Sequence, residues 1–142
     1  MRHLLDVNVL LALLDADHVD HQRTHEWWDA HVGSGWASCA LTQNGFVRIL
    51  SQPRYPSPIP TAQAVALLAS ACETEHHEFW PCQISILDGD TVDRSRLLGP
   101  RQVTDAYLLA LAVANKGTFV TYDESVPLSA VKGASSAHLH VL

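Results

Sequence analysis

The stretch Leu4-Leu5-Asp6-Val7-Asn8-Val9-Leu10-Leu11 reads as a short buried strand that ends in a carboxylate and turns directly into an apolar helix. An Asp at the carboxyl end of a strand, just before a helix, stands where open α/β sheets build their binding crevice. Two later segments repeat the arrangement in part. Thr104-Asp105 opens the apolar helix Ala106-Tyr107-Leu108-Leu109-Ala110-Leu111-Ala112-Val113-Ala114, and the strand Thr118-Phe119-Val120-Thr121-Tyr122 runs into Asp123-Glu124. Three carboxylates therefore sit at element ends that can converge.

Working outward, the strands 3–6, 36–40, 118–122 and 138–142 alternate with helices 8–15, 20–32, 42–51, 61–74 and 104–116. Phe79-Trp80 and Ile84-Ser85-Ile86 read as short extended pieces, and a small helix is expected near 90–97. Four prolines between Ser51 and Pro60 make that segment a stiff exposed loop. The alternation predicts a three-layer α/β fold with a central, mostly parallel sheet of four to five strands flanked by helices. The helix 104–116, apolar nearly all round, is expected to be central and buried. One domain over residues 1–142 is expected, with no repeat or low-complexity tract.

With 47% hydrophobic and 17% charged residues, the chain is globular rather than disordered. Its longest apolar run, residues 106–114, is far short of the ~20 residues of a membrane span. The N-terminus has no signal-peptide pattern, so a cytoplasmic protein is expected. Cys39, Cys72 and Cys82 are odd in number and form no CxxC pair, and they read as reduced core residues without a disulfide framework. A net charge of −6 argues against a general nucleic-acid coat protein. It leaves a nuclease open, because a cation-binding acidic cluster is itself negative.

Each acid alone has a bland explanation. Asp6 reads as a turn or cap, Asp105 as a first-turn residue favoured by the helix dipole, and Asp123-Glu124 as a solvated turn. Together, on rigid element ends, they would repel one another unless a cation bound, and oxygen-only ligation selects hard ions such as Mg²⁺ or Mn²⁺. His21 and His25 stand four apart on one helix but lack a third zinc ligand at a telling spacing. His138 and His140 alternate on the last strand and are expected to face solvent together, and His76-His77 are placed at a polar helix end.

Asp6-Val7-Asn8-Val9, Thr42-Gln43-Asn44-Gly45-Phe46-Val47-Arg48, Thr104-Asp105-Ala106-Tyr107-Leu108-Leu109-Ala110 and Thr121-Tyr122-Asp123 occur in the order and spacing of a PIN-domain ribonuclease. More narrowly, the chain resembles a VapC-type toxin of a toxin–antitoxin pair, over essentially its whole length. The resemblance implies a metal-dependent endoribonuclease using Mg²⁺ or Mn²⁺, with Asp6, Asp105 and Asp123 as the acidic cluster and metal ligands. It places Asn8 close to the metal beside Thr104, and it implies products with a 5′-phosphate and a 3′-hydroxyl. It also implies an RNA substrate (usually tRNA), a small cognate antitoxin that covers the groove, and a homodimer.

The departure is Gln43, where the family commonly carries Glu. Gln is nearly isosteric and its amide oxygen can orient water or metal, but it brings no charge and cannot act as a base. Glu124 or Asp88 is the candidate to make up the missing charge, each ranked below the three aspartates. Arg48, Arg54 and Arg101 lead the candidates for RNA contacts, since a nuclease needs cations to hold its substrate backbone. Two alternatives are set against this reading. One is a PIN-fold binding module that has lost turnover through Gln43. The other is a haloacid-dehalogenase-like phosphatase suggested by Asp6-Val7-Asn8-Val9, which would need a second Asp where Asn8 stands.

Overall fold

The computed structural model describes residues 1–142. Its sheet has five strands, β1 (His3–Leu5), β2 (Trp36–Ser38), β3 (His77–Phe79), β4 (Thr118–Thr121) and β5 (Leu139–Val141), in the spatial order β3-β2-β1-β4-β5. Every pairing is parallel, with His3 opposite both Trp36 and Thr118. The helices are α1 (Val7–Leu14), α2 (His21–His31), α3 (Ala40–Leu50), α4 (Thr61–Cys72) and α5 (Val103–Ala114).

The three central strands β2, β1 and β4 are short but largely buried, whereas the edge strands β3 and β5 are partly exposed. Leu4 and Leu5 of the central β1 are wholly buried and point to opposite faces. Leu4 joins Ala37, Phe119 and Trp80 in a core covered by α5, whose Ala106, Leu108, Leu109 and Leu111 are buried. Leu5 joins Trp36 and Val120 under α1, α3 and α4 through Leu10, Phe46 and Leu68. The expected three-layer parallel architecture is the observed one, and α5 is the buried helix the sequence called for.

Several local expectations are corrected. Strand β2 stops at Ser38, because Cys39 and Thr42 form a capping box that starts α3 at Ala40. Ile84–Ile86 is irregular chain, its isoleucines packed against the α5 core. The helix expected near 90–97 shrinks to the 3-10 turn Arg94–Arg96. There the Asp88 and Asp93 carboxylates accept from the amides two residues on, Asp90 and Ser95, and these local bonds compete with helix. Cys82 is exposed and only Cys39 is fully buried, all three thiols being free.

The histidines serve packing. The His21 and His25 rings donate to Ala12 O (2.7 Å) and Leu13 O (3.0 Å), closing carbonyls at the C-terminal end of α1. His140 does not face solvent with His138. It lies half-buried against Trp27, ring centres 5.8 Å apart, while His138 accepts from Ser135 N in a 3-10 turn. His77 is not at a helix end but opens β3.

Candidate active site

Asp6 is placed by the end of β1 and the start of α1. Its amide donates to Val120 O at 3.0 Å, continuing the sheet by one bond. Its carboxylate caps α1 by accepting from Val7 N (2.8 Å), and its second oxygen accepts from the Thr121 hydroxyl (2.7 Å). The same Thr121 oxygen accepts from the Asp123 amide at 3.1 Å. One buried hydroxyl at the end of β4 therefore ties Asp6 to the Asp123 turn.

Asp123 is exposed and locked by Ser125, whose amide (2.7 Å) and hydroxyl (2.6 Å) both donate to Asp123 Oδ1. Those bonds, with a smaller contribution from Asp105, hold its carboxyl below the ordinary carboxylate range. Asp105, in the first turn of α5, behaves in the opposite way. Burial, then a hydrogen bond to Asp123 and the negative charges of Asp6 and Asp123, push it up to about 7. Burial also raises Asp6, and the Asp123 charge adds to it against the Thr121 and Val7 bonds.

Three carboxyl groups from β1, α5 and the β4 turn thus lie near enough at the carboxyl edge of the sheet to shift one another's proton affinity, upward for Asp6 and Asp105 and downward for Asp123. They do not close into a coordination sphere by themselves. The donor set is all hard oxygen, and its surplus negative charge is the kind a hard divalent cation offsets.

The other expected residues lie around this group or apart from it. Asn8 and Thr104 are exposed at its rim, and neither side chain is hydrogen-bonded to the acids. Gln43, on α3, turns to β2 instead. Its amide donates to Ser38 Oγ (3.0 Å), and Ser38 Oγ lies 2.8 Å from His77 Nε2. Since Gln43 supplies the N–H, the Ser38 hydroxyl is free to donate to a neutral His77, whose protonation burial and Arg2 disfavour.

Asp88 is spent on its own turn, and Glu124 is a solvated neighbour of Asp123. Arg48 and Arg54 are exposed near the end of α3 and in the proline loop, whereas Arg101 lies one turn before Asp105. Sequence reasoning missed Thr121 and Ser125. Thr121 lies within the Thr121-Tyr122-Asp123 stretch that carries the resemblance but is given no role there, and the residue type of Ser125 carries no signal.

The PIN domain family matches residues 3–133. The chain is 65% identical over 142 residues to Ribonuclease VapC44 of Mycobacterium tuberculosis, covering all of both chains. It is 38% identical over 135 residues to Ribonuclease VapC39 of the same organism, covering 94% of this chain and 96% of that one. Among solved structures it is similar to VapBC2 from Rickettsia felis bound to a DNA fragment from its promoter. The TM-score is 0.64 at 13% identity, covering 100% of this chain and 99% of the other, and this likeness concerns the fold.

Proposed function

The chain belongs to the PIN-domain family and, through its full-length identity to VapC44, to the VapC-type ribonuclease toxins; from that premise we propose a divalent-metal-dependent endoribonuclease that hydrolyses structured RNA at Asp6, Asp105 and Asp123. The observation that carries the proposal is that the Thr121 hydroxyl binds Asp6 and the Asp123 turn together at the sheet edge where Asp105 opens α5. They are the residues that would hold Mg²⁺ or Mn²⁺. When bound, such an ion supplies Lewis-acid stabilisation of the scissile phosphate and acidifies an attacking water.

The chain's own part is positioning. Val7 N and the Thr121 hydroxyl fix both oxygens of Asp6, so its carboxylate cannot rotate away. Ser125 fixes Asp123. Asp105, its carboxyl raised by burial and by the neighbouring acids, keeps its proton more readily than they do until positive charge offsets theirs. Asn8 and Thr104 stand at the rim, where their polar groups meet a substrate phosphate or its water. Gln43, committed to Ser38, brings no fourth negative charge. The cluster therefore holds its cation less tightly than one with Glu there.

tRNA is the proposed substrate class. The proposed regulator is a small antitoxin of the kind named in the VapBC neighbour, and the proposed resting unit is a homodimer. Val65 on α4, 51% exposed, is apolar surface in keeping with such contacts.

The test is incubation of the purified protein with total tRNA in Mg²⁺ and in Mn²⁺, beside Asp6→Ala and Asp105→Ala. Discrete fragments that EDTA and either substitution abolish are expected. Cleavage that survives both substitutions overturns the site. A second reading, a binding module without turnover, is favoured by the Gln43–Ser38 bond alone. It would gain if only Gln43→Glu cut RNA.

A further inference from the structure

An acidic protein with an acidic site must still hold a polyanion. Its nine Lys and Arg side chains differ in how free they are to do so. Arg2 is structural, donating to His76 O (2.7 Å) and Trp36 O (3.3 Å) and pairing with Glu78. Arg23 lies over the Tyr122 ring, 4.9 Å from its centre, and pairs with Asp20. Lys116 follows the far end of α5, about 16 Å of helix from Asp105. Arg48 and Arg54 belong to the end of α3 and the loop after it.

Three of the remaining cations, Arg94, Arg96 and Arg101, fall within eight residues, and all three are exposed. They stand on a strap, residues 93–102, that is anchored at both ends. At one end Val92 bridges Val131, Asp93 N donates to Ala130 O (2.8 Å), and exposed Lys132 donates its amide to Thr91 O (3.0 Å). At the other end the 3-10 turn Pro100–Gln102 runs straight into α5, putting Arg101 one turn before Asp105. Gln102 closes the strap onto the site. Its Oε1 accepts from Leu98 N (3.0 Å), and its Nε2 donates to the carbonyl of Ser125 (3.4 Å), the residue that locks Asp123. Only Arg96 has an acidic partner, Asp93, at 3.4 Å. That pair is exposed and weak enough for a phosphate to replace.

We infer that the strap 93–102, through Arg94, Arg96 and Arg101, is the surface that grips the RNA sugar–phosphate backbone and lays it across the acidic site. This inference rests on the RNA-cleaving reading. Guanidinium groups suit the role because each presents a planar fork to phosphate oxygens. No base edge is read by such contacts, so the strap supplies affinity and register rather than sequence choice.

The test uses full-length protein and a fluorescein-labelled RNA hairpin. Binding is followed by anisotropy in EDTA over a salt series, and cleavage kinetics are measured with metal. Arg94→Ala/Arg96→Ala/Arg101→Ala is expected to bind roughly tenfold or more weakly at low salt, with a salt slope shallower by about 2, at ~0.7 per lost phosphate contact. KM should rise while kcat changes by less than about twofold. The triple Lys variant should recover most of the salt slope, and the thermal midpoint of both should match wild type.

An unchanged slope and KM in the triple Ala variant would overturn the strap while leaving the nuclease reading intact. So would loss of the slope in Arg48→Ala/Arg54→Ala instead. Wild type that neither binds nor cuts any RNA would overturn both.

Discussion

Asp105 is the residue whose state reports on the whole site. Its carboxyl, at about 7 in the fold against 3.8 for a free one, holds a proton that burial first, and then Asp123 and Asp6, make costly to release. A raised carboxyl contributes stability that is fully present below the unfolded value and is lost as pH rises through about 7. Asp105 therefore contributes less stability to the metal-free protein at pH 8 than at pH 5. Asp105→Asn should raise the thermal midpoint at pH 8 by a few degrees and much less at pH 5. Mn²⁺ should raise the wild-type midpoint at pH 8 and leave Asp105→Asn nearly unmoved. A variant-minus-wild-type difference equal at both pH values would show that the carboxyls do not repel. The three aspartates were legible in the sequence because each ends or begins an apolar element. Thr121 and Ser125 were not, since a hydroxyl becomes a positioning group only once a turn brings it under a carboxylate. The orientation of Gln43 was equally hidden, because Ser38 lies on another element.

At the scale of elements, the site depends on how closely α3 approaches α1. Gly45, mid-helix in α3, faces Val7, and a Cβ there would stand 2.6 Å from Val7 Cγ2. Val7 directly follows Asp6 and donates its amide to that carboxylate. The crowding therefore pushes on the site as well as on the core. Gly45→Ala should cost about 1–3 kcal/mol in overpacking, offset by up to ~1 kcal/mol of helix propensity. It should also lower cleavage more than its stability loss accounts for. Val7→Ala added to it should recover part of both, the signature of two residues in direct contact. Urea unfolding and RNA cleavage on the four proteins of that cycle check the coupling, and strictly additive effects would refute it. The major helices were readable because their apolar faces repeat at helical spacing. Residues 80–102 were not, because Asx turns at Asp88 and Asp93 and the irregular packing of Ile84 and Ile86 leave no period to follow.

The whole molecule balances two opposed titrations. At one edge of the sheet the acidic site favours low pH. Against it stands a packed aromatic group in which His3 meets Trp27 (ring centres 5.2 Å apart) and His31 (5.7 Å), with His140 beside them. Burial first, then His31, the N-terminal amine and His140, lower His3 to about 4, and its Nδ1 is buried without a hydrogen-bond partner. A lowered histidine contributes stability that is fully present above the unfolded value of 6.5 and is lost as pH falls towards 4. His77 and His140 are lowered as well and act in the same sense. Between pH 4 and 7 the histidines and Asp105 therefore pull in opposite directions, which flattens the stability profile of the metal-free protein. Removing one side should tilt it. His3→Phe keeps an aromatic ring in the group and removes the orphaned nitrogen. It should reduce the loss of stability between pH 6.5 and 4 by on the order of 1 kcal/mol, the half-buried ring being partly screened by solvent. In a His3→Phe/Asp105→Asn double variant both slopes should shrink independently, because the two groups lie in separate clusters. Urea midpoints at pH 4.5, 6 and 7.5 resolve the effect, and a His3→Phe profile parallel to wild type would mean that His3 is solvated rather than held neutral by the packing around it.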